Sequence, residues 1–352
     1  MFYSNGYLNG LLSCAKDCEN LGRFSGKTIL ITGASGLVGS ALADTLLQAN
    51  RELNLGCKVV LAGRSEDRLR SRFAYWGDSA WLFAAHDNFK NVVFKFKADY
   101  IFHCASNAHP KAYSEQPVET LVGNVRGTDA ILSYARDCRA ARVVYVSSSE
   151  VYGPREGVEP YVESDQFPVD SLSPRSCYPA SKRACETLCA SYRAEYGVDT
   201  VIARPGHVWG ATCTASDTRA HAQFAREAAL SRDIIMKSPG SQLRSYVYST
   251  DCAGALLTIC LEGEAGEAYN VGVPGFTCSI RELAEALAEA GGVRIVRDYP
   301  TEHESAGYNP MSCSALDCCK LAKLGFEGRY DLRRASLELI ECLRAGKSNN
   351  VI

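Results

Sequence analysis

"KTILITGASGLVGSALADTLLQAN", residues 27–50, decides the fold. It opens as an apolar run closed by glycine, the pattern of a buried strand, and continues with apolar residues on one helical face. Between the two halves, Gly33, Gly36 and Gly39 form GxxGxxG. Glycines let a backbone come close to a pyrophosphate, and the following helix N-terminus offers free N–H groups and a positive dipole end. A glycine turn alone would be weak evidence. Set between a strand and a helix, it predicts a dinucleotide cradle formed by Gly33, Ser35, Gly36, Leu37, Val38 and Gly39.

The next segments repeat the alternation. "KVVLAG" (58–63) reads as a second strand ending beside Arg64, where an NAD-specific protein would often carry an acidic residue for the ribose 2′-hydroxyl. Arg64 tolerates a 2′-phosphate, stacks on adenine or faces water, so NAD and NADP both stay open. "WLFAAHD" (81–87) predicts a third strand ending at Asp87, an acceptor for the adenine amino group. "ADYIFHCAS" (98–106) predicts a fourth, whose Ala105 and Ser106 are small enough for close approach to the nicotinamide half. Repeated strand-helix alternation predicts an α/β fold with a Rossmann-type doubly wound parallel sheet.

"VVYVSSSEVYG" (143–153) supplies the fifth strand and an awkward ending. Serines stop a strand without needing a function, but Glu150 is followed at once by Val151 and Tyr152, which leaves little solvated loop. Further on, Tyr178 and Lys182 stand at i, i+4 and share a face if the segment is helical. A lysine ammonium and an oxidised nicotinamide both lower the cost of a tyrosinate, which makes the phenol a usable base for a substrate hydroxyl.

Bulk properties exclude several classes. Lys+Arg of 38 against Asp+Glu of 40 leaves a net charge of -2 over 352 residues, so neither nucleic acid nor an anionic membrane is an expected partner. No apolar run approaches the roughly 20 residues of a membrane span. Sixteen cysteines without CxxC spacing and six scattered histidines predict reduced thiols, a cytoplasmic compartment and no metal. Cys185 and Cys189, four apart on a helix, read as core residues.

The motifs "GASGLVG", "HCAS", "GNVRGT", "VSSSEVYG", "YPASK", "GSQLRSYVYSTD" and "AYNVG" occur in an order that resembles the extended short-chain dehydrogenase/reductases, the NAD-dependent epimerase/dehydratase family acting on nucleotide sugars. The resemblance covers about residues 25 to 343. It implies that Ser148 binds the sugar 4-hydroxyl beside Tyr178, that Lys182 also holds the nicotinamide ribose, and that Asn124 is structural. Ser149 and Glu150 separate subgroups: simple 4-epimerases usually lack the carboxylate, whereas 4,6-dehydratases and UDP-glucuronate decarboxylases carry it. "SPRSCYPASKR" (173–183) is similar to the pattern of the UDP-glucuronate decarboxylases.

On that resemblance Arg175, Arg219 and Arg244 contact the substrate, although each has a plainer reading as a solvated or structurally paired arginine. His207 stands where the decarboxylases typically have asparagine, and Gly210-Ala211-Thr212 replaces their Gly-Pro-Arg. The expected organisation is an N-terminal extension (1–24), a cofactor-binding domain (25–204) and a smaller C-terminal substrate-binding lobe (205–352), with 242–272 returning to the first domain. A homodimer is expected. Decarboxylation of a nucleotide sugar leads, with 4,6-dehydration or 4-epimerisation as the alternative and an idle cofactor-binding module as a reading of another class.

Overall fold

The computed structural model describes residues 3–87, 94–108, 110–214, 217–298 and 312–347. In chain order its first part runs α1 (Asn5–Asp17), β1 (Thr28–Thr32), α2 (Leu37–Leu53), β2 (Lys58–Gly63), α3 (Glu66–Arg72), β3 (Leu82–Ala85), β4 (Tyr100–His103), α4 (Pro110–Glu115), α5 (Pro117–Cys138), β5 (Arg142–Val146) and α6 (Cys177–Tyr196). Then come β6 (Thr200–Pro205), β7 (His207–Trp209), α7 (Ala220–Ala229), β8 (Ile234–Met236), β9 (Leu243–Tyr248), α8 (Ser249–Glu262) and β10 (Ala268–Val271). The last elements are β11 (Thr277–Ser279), α9 (Ile280–Gly291), β12 (Ile295–Arg297), β13 (Cys313–Ser314), α10 (Cys319–Ala322) and α11 (Leu332–Lys347).

Seven strands pair in the order β10-β6-β5-β4-β1-β2-β3, all parallel. The period-two alternation of β1 explains why both faces need helices. Ile29 and Ile31 pack with α2 and α8, while Leu30 points to the opposite layer of α5 and α6. Cys185 and Cys189 are fully buried in that second layer. Successive strands leave β1 in opposite directions, so the strand order switches between β1 and β4, where a crevice opens beyond the carboxyl ends.

The smaller lobe contains the sheet β11-β9-β13, with β7 also paired to β9, and the two-stranded β8-β12 sheet. Trp209, Tyr246, Leu283, Leu287 and Leu339 share its core with α7, α9 and α11. Within 242–272, β9 belongs to this lobe, whereas α8 packs on α2 and β10 closes the edge of the large sheet.

The N-terminal extension is built into this frame. Ser4 caps α1 by accepting the Tyr7 N–H at 3.2 Å. Fully buried Asp44 on α2 then accepts hydrogen bonds from Tyr3 (2.8 Å), Tyr7 (2.8 Å), the Trp76 indole (2.7 Å) and Arg72 (2.6 Å). A carboxylate out of water is tolerated when its lone pairs are occupied and a cation faces it. Asp44→Ala strips Tyr3, ahead of α1, and Tyr7, on it, of their shared acceptor and leaves Arg72 without its counter-ion. We expect about 3–5 kcal/mol of lost stability in urea unfolding, and a variant as stable as the parent would show that the cluster does not tie α1 down.

Candidate active site

The glycine turn is shaped by close backbone approach. Gly33 leaves β1 with φ of 65°, and a Cβ there would lie 2.7 Å from the Ala105 backbone nitrogen. A Cβ on Gly39 would lie 2.5 Å from the Gly33 carbonyl oxygen, which accepts the Gly36 N–H at 2.9 Å. Gly36 caps α2 with no side-chain hydrogen bond, so the first-turn N–H groups are left to a ligand. Ser35, Leu37 and Val38 line this mouth half-buried. The residues present therefore fit a dinucleotide diphosphate.

Arg64 and Asp87 follow the carboxyl ends of β2 and β3 and are exposed on the same edge. Burial, with the Arg64 charge, lowers the pKa of His86 between them to about 4. At the switch point, Thr32 on β1 bonds His103 Nδ1 on β4 at 2.7 Å and accepts the Ala105 N–H at 3.2 Å. Ser106 donates to Asn124 (3.0 Å), Asn124 donates to Ser181 (2.9 Å), and Ser181 donates to the Tyr178 carbonyl (2.8 Å). Asn124 thus joins the exit of β4 to α6, a structural use.

Tyr178 and Lys182 lie on the buried face of α6, 5 % and 2 % exposed. The Lys182 ammonium donates to the carbonyl of Val146, the last residue of β5, at 2.7 Å. It lies 5.8 Å from the centre of the Tyr178 ring. Burial lowers the Lys182 pKa to about 8. Tyr178 is pushed upward, first by burial and then by Glu150, against the opposing hydrogen bond with Ser148. Without a further positive charge the phenol keeps its proton.

Beyond β5 the chain turns through a 3₁₀ segment, Ser149–Tyr152, capped by Ser148, whose hydroxyl accepts the Glu150 N–H at 3.2 Å. Arg183 holds the turn from α6 through the carbonyls of Val151 (2.6 Å) and Tyr152 (3.1 Å). Glu150 is aimed at the site, and Arg175 Nη2 donates to both its oxygens at 2.9 Å. Burial raises the Glu150 pKa, while Arg175 and Arg244 oppose it. The Arg175 guanidinium also covers Tyr113 at 4.6 Å, and Tyr113 stacks on Tyr178 with centroids 4.8 Å apart.

The small lobe supplies the other wall. Arg244 on β9 is 4 % exposed and donates to the Leu243 carbonyl at 2.9 Å. Arg219, at the start of α7, holds Asp217 through Nε and Nη2. His207 on β7 packs 5.7 Å from Tyr246, and burial, with Arg244 and Arg219, lowers its pKa to about 3. Its Nδ1 is buried with no hydrogen-bond partner in the structure. The divergent Gly210-Ala211-Thr212 segment is used differently: the Thr212 hydroxyl donates to the Leu37 carbonyl at 2.8 Å, tying the small lobe to the first turn of α2.

Every site residue expected from the sequence thus falls at the carboxyl edge of the large sheet or on the facing lobe. Tyr113, Arg183, Asp217 and the Glu186–Arg204 pair escaped that reading. Glu186 takes the Ser147 hydroxyl at 2.6 Å and Arg204 through both its oxygens. Its spacing from Lys182 by one helical turn was a usable signal, whereas nothing in "KAYSEQP" (111–117) distinguishes Tyr113.

A family model described as NAD dependent epimerase/dehydratase family matches residues 29–272. UDP-glucuronic acid decarboxylase 6 of Arabidopsis thaliana is 32% identical over 266 residues, 75% of this chain and 74% of the relative. Among solved structures, UDP-glucose 4-epimerase of Thermotoga maritima with UDP-glucose superposes with a TM-score of 0.76 at 22% identity, covering 90% of this chain and 98% of the other. UDP-glucuronic acid 4-epimerase of Bacillus cereus, in complex with UDP-glucuronic acid and NAD, gives 0.75 at 20% identity, with 90% and 99% covered.

The depressed Lys182 pKa has a measurable sign. Between about pH 8 and 10.5 the unfolded chain carries a proton on this lysine that the folded chain lacks, so this group adds stability as pH rises through that window. Relative to Lys182→Met, the wild type should gain up to about 3 kcal/mol between pH 7.5 and 10.5 in paired urea titrations. A difference that stays constant with pH would contradict the buried, weakly basic lysine.

Proposed function

The chain belongs to the NAD dependent epimerase/dehydratase family, and from that premise we propose that it decarboxylates a nucleotide sugar resembling UDP-glucuronate with NAD+ bound in the glycine cradle. Glu150 carries the reading: a carboxylate that is held by Arg175 and that adds its charge to burial in raising the pKa of Tyr178 is of use to chemistry that follows oxidation. The decarboxylase relative supports the same assignment. Arg64 accommodates a 2′-phosphate, so NADP+ is the alternative cofactor.

The bound nicotinamide supplies a reversible hydride acceptor for the sugar C4. Tyr178 takes the 4-hydroxyl proton, with the Lys182 ammonium lowering the cost of the phenolate and Ser148 steering the hydroxyl. The C5 carboxylate is then β to a ketone. Its C5–C6 bond breaks with the electron pair moving toward the C4 oxygen, carbon dioxide leaves, and water held near C5 gives that carbon a proton as the enolate electrons return to it. With the hydride that the cofactor would give back to C4, Tyr178 would return its proton to O4, completing a pentose. Ser149 and Glu150 orient substrate or water near C5, and Arg175, Arg219 and Arg244 hold the diphosphate or carboxylate through charge-assisted hydrogen bonds. His207, standing where asparagine is usual, tunes which sugar is taken.

Incubation with UDP-glucuronate should release carbon dioxide and a UDP-pentose. A stable 4-keto-6-deoxy product, or an inverted sugar without carbon dioxide from any uronate tried, transfers the assignment to dehydration or epimerisation. Tyr178→Phe should lower turnover by about 10²–10⁴-fold with NAD+ still bound; unchanged turnover would reduce the fold to a binding module.

We further infer a homodimer through α5 and α6. Val118 and Leu121 on α5 and Tyr196 on α6 are large apolar side chains left exposed, which a second copy would cover. Sedimentation should give twice the chain mass, and Leu121→Glu should shift it toward the monomer. No described helix is long and apolar enough to cross a membrane. Sixteen free cysteines, most of them buried, support a reducing cytoplasmic compartment.

A further inference from the structure

Cys213, Asp217 and His221 converge in the small lobe, one ligand-capable atom from each lying within 4.8 Å of the others. The thiol of Cys213 stands 3.8 Å from Asp217 Oδ2, and His221 Nε2 stands 3.9 Å from the same oxygen. The edges between sulfur, nitrogen and oxygen ligands around a tetrahedral zinc run about 3.3–3.6 Å, given metal–ligand bonds of about 2.0–2.3 Å, so closing the trio on an ion needs only small side-chain shifts. His221 supplies an independent sign. The residue is 4 % exposed, and its Nε2 is buried without a hydrogen-bond partner while directed at the Asp217 carboxylate. A buried imidazole nitrogen left unpaired is costly, and a metal is one of the few partners that satisfies it.

We propose that Cys213, Asp217 and His221 form a three-ligand site for a zinc-class divalent cation. Sulfur, carboxylate and imidazole together suit a borderline-soft ion better than magnesium or calcium, and three protein ligands leave a fourth position open. Arg219 occupies the competing state. Its Nη2 donates to Asp217 Oδ2 at 2.5 Å and its Nε to Oδ1 at 3.0 Å, so the guanidinium serves as counter-ion when no cation is bound. Metal at Oδ2 displaces that Nη2 contact and frees the guanidinium toward the Tyr113 side of the site, where its charge is already felt.

The probe is cobalt(II), titrated into chelator-treated full-length protein and followed by the thiolate-to-cobalt charge-transfer absorption. The expected result is one equivalent per chain, with the band abolished in Cys213→Ser and in His221→Gln, both checked for native circular dichroism, and kept in Cys319→Ser. Arg219→Gln, which removes the competing cation, should tighten cobalt binding by about tenfold or more. No band, or a band that survives Cys213→Ser or His221→Gln, overturns the site. Unchanged or weaker binding in Arg219→Gln overturns the exchange with arginine.

Discussion

The hydrogen bond from the Lys182 ammonium to the Val146 carbonyl joins the two elements on which the site depends. A fully buried ammonium is held in place only where an acceptor meets it, and here the acceptor is the last carbonyl of β5. That contact sets how far α6 stands from the strand end, and so where Tyr178 lies relative to Ser148. Its neighbours reinforce it. Glu186, one turn further along α6, grips Ser147 and Arg204, and Arg183 takes the carbonyls of the Glu150 turn. Strand end, α6 and the Glu150 turn are therefore tied together.

Around this unit, charge is arranged in opposition. Glu150 and Tyr178 are both pushed toward their neutral forms by burial, and Arg175, Arg219 and Arg244 partly reverse that push from outside. Several arginines facing one carboxylate and a phenol give this mouth a positive local field. Two of the arginines have internal partners: Arg175 on Glu150, Arg219 on Asp217.

The lobes are linked by contacts that homologous motifs do not announce. Thr212 bonds the Leu37 carbonyl at the mouth of the cradle. Cys14 of the N-terminal helix donates to the Thr250 carbonyl at 3.0 Å, so α1 spans from the Asp44 cluster to the start of α8. Residues 3–17 are thus part of the core on one face of the large sheet, although they precede the segment in which the family pattern begins.

The sequence alone determined the sheet, because its signals are local: apolar runs with period two or none, glycines at the turn, helices amphipathic on one face. Gly33 and Gly39 were legible for the same reason, since a turn that tight admits nothing larger. Tyr178 and Lys182 stood out as well through helical spacing, and Glu150 through its place after a strand, whereas Ser148 was singled out only by the family resemblance. Tertiary structure alone decided which distant groups meet. The stacking of Tyr113 on Tyr178, the capture of Glu150 by Arg175 and the four donors around Asp44 leave no clear pattern along the chain. Such contacts depend on crossover connections and on the docking of one lobe over another, and packing across tens of residues is not encoded in any short period.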